Sequence, residues 1–417
     1  MLFSATSLDI SPSNPLPLSG WSHRTSEFKS IKLGLEANIL IFDQNETLYF
    51  FISIDCLFIS SQLKKVIIAR LADQDIKCNT DDILLLASHT HFAPSLDESK
   101  PQLGKIDQTY IDQTFNKVAD ACLSQIKTGF ENGSAQYFKG AYSKVISRRR
   151  KVSHYRKNIF KWNQEVLVGP NILGPKNDDI HLINLLDDKA NCICIFWSFA
   201  CHPVDEPEFN SLSSDYVGIV RDHIRKTLNA NIPVIFAQGF AGNIKAKLSP
   251  ELDSLSSKLK TILKLPDVFK AEPENYKQWC LGLLSSIDKT LSSKPTIIID
   301  KALSKQIAHI PLKELIHNYE GPESDLKLQK WQLGSVLLIC MSAEPVTEYN
   351  NILRSIINDN FIPVGYTADS FGYLPVSKQV KEGGYEAEGF FKLFSIEGKF
   401  KECPEEKVIA YLDQLKS

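Results

Sequence analysis

The sequence has no apolar run long enough to span a membrane. Its two most hydrophobic windows, LYFFISIDCLFIS and CICIFWSFAC, are short, and Asp55 interrupts the first. It also lacks the basic start and continuous apolar stretch of a secretory signal, so the Pro- and Ser-rich opening MLFSATSLDISPSNPLPLSGW reads as an ordered entry loop. Charge of one sign is missing too: the formal net charge is only −2, and no global field draws the chain to nucleic acid or an anionic membrane. The nine cysteines are odd in number and scattered, which fits reduced thiols better than a disulfide framework. Internal repeats and low-complexity linkers are absent. Together these features predict a soluble, cytoplasmic protein.

What is present is enough material for a large core, with 417 residues of which 43% are hydrophobic. The patterning alternates strands and helices. Residues 37–42 and 47–54 are β-rich and flank the turn DQNE, 61–73 reads as a helix, and 83–88 as a buried strand. Behind a capping Asp107, Ile111, Phe115, Val118, Cys122 and Ile126 recur at helical spacing. Further strands are predicted at 192–200, 232–238, 335–341 and 361–366, with helices near 215–228, 251–264 and 273–291 and another at the C-terminus. The fold class is α/β, a mixed β-sheet core flanked by helices, and the polar region around 290–330 is the one candidate boundary.

Several apolar strands end in polar residues. ILLLASHTH ends in His89 and His91, CIFWSFACH in His202, PVIFAQGFAGN in Asn243 and SVLLICMSAE in Glu344. Ligands of α/β sheets gather at the carboxyl ends of strands, and two imidazoles with a carboxylate are a common donor set for catalytic zinc. If the backbone stays extended from 89 to 91, both rings project to one side.

These residues also carry a resemblance. LLLASHTHFAPS resembles the His-Thr-His-Ser-Gly-Pro stretch of the neutral ceramidase family, zinc amidases that cleave the N-acyl bond of ceramide. In the family's order, LDISP with LSGW, VISRRR, SFACHPVDE, SSDYVGIV, FAQGFAGNIKAK and SAEPVTEYNNILR resemble its further motifs, over roughly 9–390. In DSFGYLPVSKQVKEGGYEAEG, Tyr373 and Tyr385 match two family tyrosines and keep the interval between them.

The resemblance implies a single neutral-ceramidase-like catalytic domain over 1–417, without the C-terminal immunoglobulin-like domain usual in the family. It implies Zn2+ held by His89, His202, Glu344 and Tyr373, and His91 as general acid/base on a metal-activated water. Arg148 and Tyr385 would donate hydrogen bonds to the carbonyl oxygen as it gains charge. The expected reaction is hydrolysis of a linear N-acyl amide, ceramide-like or other. Where the family has Gly-Asp-Val-Ser-Pro-Asn, this chain has Gly242 to Lys247 with Lys245 in place of the serine, which argues against a serine nucleophile. Two alternatives stay open: an inactive metal-containing relative that binds a lipid-like ligand, and a deacylase for a small polar amide.

One further stretch, KVISRRRKVSHYRK from Lys144 to Lys157, carries seven Lys or Arg and no acid. It reads as a solvated loop, a supply of internal ion pairs, an anion-binding rim, or a peripheral contact with phospholipid head groups. Nucleic acid is not an expected partner, because nothing else in the chain supports it.

Overall fold

A computed structural model describes residues 1–156, 161–248, 272–299, 303–357 and 361–415. The expected helix near 251–264 lies outside these residues. The architecture is a mixed α/β fold built on a large sheet, with strands in the order Val234–Gln238, Cys192–Phe199, Asp179–Asp187, Glu131–Ala141, Leu2–Asp9, Glu36–Gln44, Thr47–Ile54 and Ile83–Ala87. The two outermost pairs are parallel and the inner pairs antiparallel. Apolar runs such as ILLLA and the VIFA of VIFAQ suit these outer strands, which are buried along their whole length.

The sheet curls so that its two edges approach. Val234–Gln238 packs back on Thr47–Ile54, where the Phe236 N–H donates to Ser53 Oγ at 3.2 Å and the Val234 N–H donates to Asn38 Oδ1 at 3.0 Å. A segment from a distant part of the chain then spans both edges. The Gly365 N–H donates to the Gln238 carbonyl at 2.8 Å, and the Ala87 N–H donates to the Tyr366 carbonyl at 3.2 Å. The carboxyl ends of strands from opposite edges therefore meet, which is what positions the site.

The helices form as their periodicity predicts. Gln108–Thr128 is capped by Asp107, whose side chain accepts from the Tyr110 N–H at 2.8 Å, and it buries Ile111, Phe115, Val118 and Cys122. Gln62–Ala72, Asp215–Leu228, Pro273–Leu291 and Pro404–Gln414 match the remaining expected helices. No helix among the described residues is long and apolar enough to cross a membrane.

Two regions depart from the sequence reading. The basic stretch is a strand, Val145–Arg156, set between Ile244–Ala246 and Lys161–Asn171 in a three-stranded sheet. Its consecutive charges hide any alternation, so a loop was the simpler reading. The polar region 290–330 contributes Ile297–Ile299 to the large sheet, while Leu303–Pro311 and Asp325–Leu333 enter a second, four-stranded sheet with Val336–Met341 and Phe361–Val364.

Candidate metal centre

His89 follows the edge strand Ile83–Ala87, His202 follows Cys192–Phe199, the strand next to the opposite edge, and Glu344 follows Val336–Met341. The chain does not stay extended after the first of these. His89 has φ +65°, a left-handed conformation unfavourable to a side chain, and it is held there by N–H donation to the Cys56 carbonyl at 2.8 Å. The His89 and His91 rings nevertheless lie 5.0 Å apart, because the turn rather than a pleat brings them together.

The tautomers of two imidazoles follow from their partners. His89 Nδ1 is 3.0 Å from the Leu57 carbonyl and His202 Nδ1 is 2.7 Å from the Ala241 carbonyl. A carbonyl only accepts, so each Nδ1 carries the proton and each Nε2 is left with a lone pair. Both Nε2 atoms point at Glu344 Oε2, at 3.3 Å and 3.4 Å. None of these three buried atoms has a hydrogen-bond partner among the described residues. Three converging lone pairs away from water are costly without a cation, and an N/N/O set of this kind fits a divalent metal ion. The nitrogens of His91 join those of His89 and His202 in a group within 4.8 Å.

Electrostatics agree with that arrangement. Burial acts to raise the Glu344 carboxyl, but His89 and His202 outweigh it and hold the group down at about 2. Burial, with the Arg148 charge beside it, pushes His202 down to about 3. Burial likewise lowers His91 well below its ordinary value, aided by His89, His202 and Arg24. An ionised carboxylate among neutral imidazoles is the state a metal requires.

The remaining expected residues lie alongside. Glu344 and Tyr373 are opposite each other in a short parallel pairing. Arg148 Nη2 donates to the Tyr373 hydroxyl at 2.8 Å, and the Tyr385 ring stands 5.3 Å from that of Tyr373. Burial raises the Tyr373 phenol well above its ordinary value, which Arg148 only partly offsets. All seven residues singled out in the sequence are therefore gathered in one region.

Three further residues escaped the sequence reading. Glu386 is buried and accepts from Arg148 Nε at 2.9 Å and from Arg149 Nη1 at 2.7 Å, so the basic strand is in part a supply of internal ion pairs. Its adjacency to Tyr385 was the available signal. Tyr366, with φ +57°, lays its ring 4.3 Å from that of His89. Arg24 donates to the His91 carbonyl. Nothing in a short loop sequence marks either of these two residues. Lys245 forms a pair with Asp205 at 2.9 Å, so no hydroxyl stands where the family has its serine.

No protein-family model matches the chain, and no curated protein matches it in sequence. Solved structures do. Neutral ceramidase from Pseudomonas aeruginosa superimposes with a TM-score of 0.70 at 15% identity, covering 99% of this chain and 73% of that one. A ceramidase complexed with C2 gives a TM-score of 0.69 at 13% identity, with the same coverage. The chain has a neutral-ceramidase-like fold. The expected α/β architecture is thereby borne out over essentially the whole chain.

Proposed function

We propose that the protein is a zinc-dependent hydrolase of linear N-acyl amides. The observation that carries this reading is the convergence of His89 Nε2, His202 Nε2 and Glu344 Oε2, each without a hydrogen-bond partner among the described residues, beside the Arg148–Tyr373–Tyr385 group. The likeness to ceramidase structures favours an amide over other acyl substrates.

A zinc ion bound there would act as a Lewis acid and make a water molecule nucleophilic near neutral pH. His89, His202 and Glu344 would hold it, with the Tyr373 oxygen as the fourth donor. His91, next to the nucleophile, would take its proton and return it to the leaving amine. Arg148 and Tyr385 would donate to the carbonyl oxygen as it becomes an oxyanion, in a site where little water competes. Because Glu386 holds Arg148 by its Nε, the outer end of the guanidinium is already aimed before substrate arrives.

The donors come from widely separated parts of the chain, which supports reading it as one catalytic domain. Ceramide-like lipids are the substrates the fold suggests first. The deciding experiment is hydrolysis by zinc-loaded protein of a panel spanning ceramides, N-acyl amino acids and short acyl amines. Release of carboxylate and amine is expected, and its loss in His202→Ala. If no member is cleaved, the inert lipid-binding relative takes its place.

A further inference from the structure

His91 is oriented by different means from its two neighbours. His89 and His202 each donate Nδ1–H to a backbone carbonyl, whereas both ring nitrogens of His91 are buried and have no hydrogen-bond partner among the described residues. Its ring is instead enclosed by the segment Ser19–Arg24. Gly20, at φ +106°, passes so close that a Cβ there would lie 2.4 Å from His91 Nδ1. The Trp21 indole packs on the imidazole with ring centres 4.8 Å apart.

Arg24 fixes that segment in place. Its Nη2 donates to the carbonyls of Ser19 and His91, and its Nη1 donates to the Phe209 carbonyl at 2.9 Å. The guanidinium lies between aromatic faces, 4.6 Å from the Trp21 ring centre and 5.0 Å from that of Phe209. The segment is also tied down directly, by the Ser19 N–H to the Ala93 carbonyl at 2.8 Å and the Gly20 N–H to the Leu103 carbonyl at 2.7 Å. A single buried cation thus joins three stretches of backbone around one imidazole.

On the amide-hydrolase reading above, we infer that Trp21 and Arg24 are positioning residues for His91. A residue that moves protons exchanges partners during turnover, and a permanent Nδ1–H···O=C bond like that of His89 would commit it to one tautomer. Orientation by the shape of Trp21 and Gly20 avoids that commitment. It fixes the ring plane without a hydrogen bond to either nitrogen among the described residues, and Arg24 holds the backbone from which the ring projects.

A double-mutant cycle on the zinc-loaded protein tests this. Trp21→Leu should lower kcat about 10²-fold, as expected for loss of alignment, with KM and bound zinc unchanged. Arg24→Lys, whose single nitrogen replaces the two that reach the Ser19, His91 and Phe209 carbonyls separately, should do the same, and Trp21→Phe should recover most of the rate. In a His91→Ala background, Trp21→Leu should cost less than about twofold, because its effect acts through that ring. Fully additive losses, or a loss of zinc in Trp21→Leu, would overturn the inference. If Trp21→Leu does not fold, Arg24→Lys takes its place in the cycle, with the same criterion of non-additivity.

A second readout needs no turnover. The Cε1–H resonance of His91 should carry a ring-current shift that Trp21→Leu removes while the His89 and His202 signals stay in place. An unmoved His91 signal overturns the positioning role. A moved signal in a protein that cleaves nothing overturns the hydrolase reading alone.

Discussion

Glu344 and Tyr373 face each other across a parallel pairing only two residues long. The Glu344 N–H donates to the Gly372 carbonyl at 2.8 Å, so the backbones that carry this carboxylate and this phenol are fixed relative to one another. That rigidity is what a metal site with tight geometric demands requires.

The first expected outcome concerns metal content. Elemental analysis of purified protein should find about one transition ion per chain, most often zinc given the N/O donors. His89→Ala and His202→Ala should empty the site, whereas His91→Ala should keep the ion and lose activity. Zinc loss in His91→Ala would make that residue a ligand.

Glu386 balances two buried guanidinium groups. Its replacement in Glu386→Gln takes a carboxylate from both Arg148 and Arg149, leaving Arg149 with its looser pair to Glu382 at 3.6 Å, and breaking buried pairs this way costs roughly 3–5 kcal/mol. Urea denaturation should register that loss, together with a fall in kcat as Arg148 loses its orientation. Wild-type stability in the variant would mean that the pair contributes nothing net.

Tyr385 is tested by removal of one oxygen. Tyr385→Phe should lower kcat by about 10²–10³ while leaving the melting temperature and zinc content near wild type, since the ring remains. A change confined to KM would place the hydroxyl in substrate binding rather than in oxyanion stabilisation.

His181 gives a pH signature away from the metal. Burial pushes it down to about 4, and its Nδ1 sits 2.8 Å from the Tyr137 hydroxyl inside the large sheet. The unfolded state binds the proton first, so stability is full above the ordinary value near 6.5 and falls as pH drops toward 4. At most about 3 kcal/mol is lost over that window. Denaturation of the zinc-loaded protein at pH 7 and pH 5 should show a smaller decrease in His181→Asn than in wild type; an equal decrease would show that His181 is not its source.

Lys245 stands where a serine nucleophile would otherwise be expected, and it is paired with buried Asp205. Lys245→Ser should therefore destabilise the protein by leaving Asp205 without its cation, and it should not be needed for turnover. Activity appearing only in that variant would assign the nucleophile to the serine.

Much of this site was legible because apolar strands stop abruptly at polar residues, and strand ends are where an α/β sheet exposes its chemistry. His89, His202 and Glu344 could be picked out on that ground, since burial of the preceding strand needs only composition to recognise. Tyr373 and Tyr385 were not legible that way and rested on resemblance. The left-handed turn at His89 was missed because histidine has no strong preference that would announce it. Strand Val145–Arg156 was missed for another reason: the charges of Arg148, Arg149 and Lys151 are met by Glu386 and Glu382, far along the chain, and only the folded structure brings these together. Arg24 belongs to the same class, because its partners are backbone carbonyls, which carry no residue identity at all.

The segment Gly365–Thr367, bonded to Gln238 on one edge of the sheet and to Ala87 on the other, also sets when the site can exist. A chain emerging during synthesis presents His89 and His202 long before this tie is available, and until it forms the two edges are free to separate. Affinity at the proposed metal site therefore depends on long-range contacts that tie Gly365 to Gln238 and Tyr366 to Ala87. A stalled or truncated chain would compete poorly for zinc, and loading of the ion would report that folding is complete.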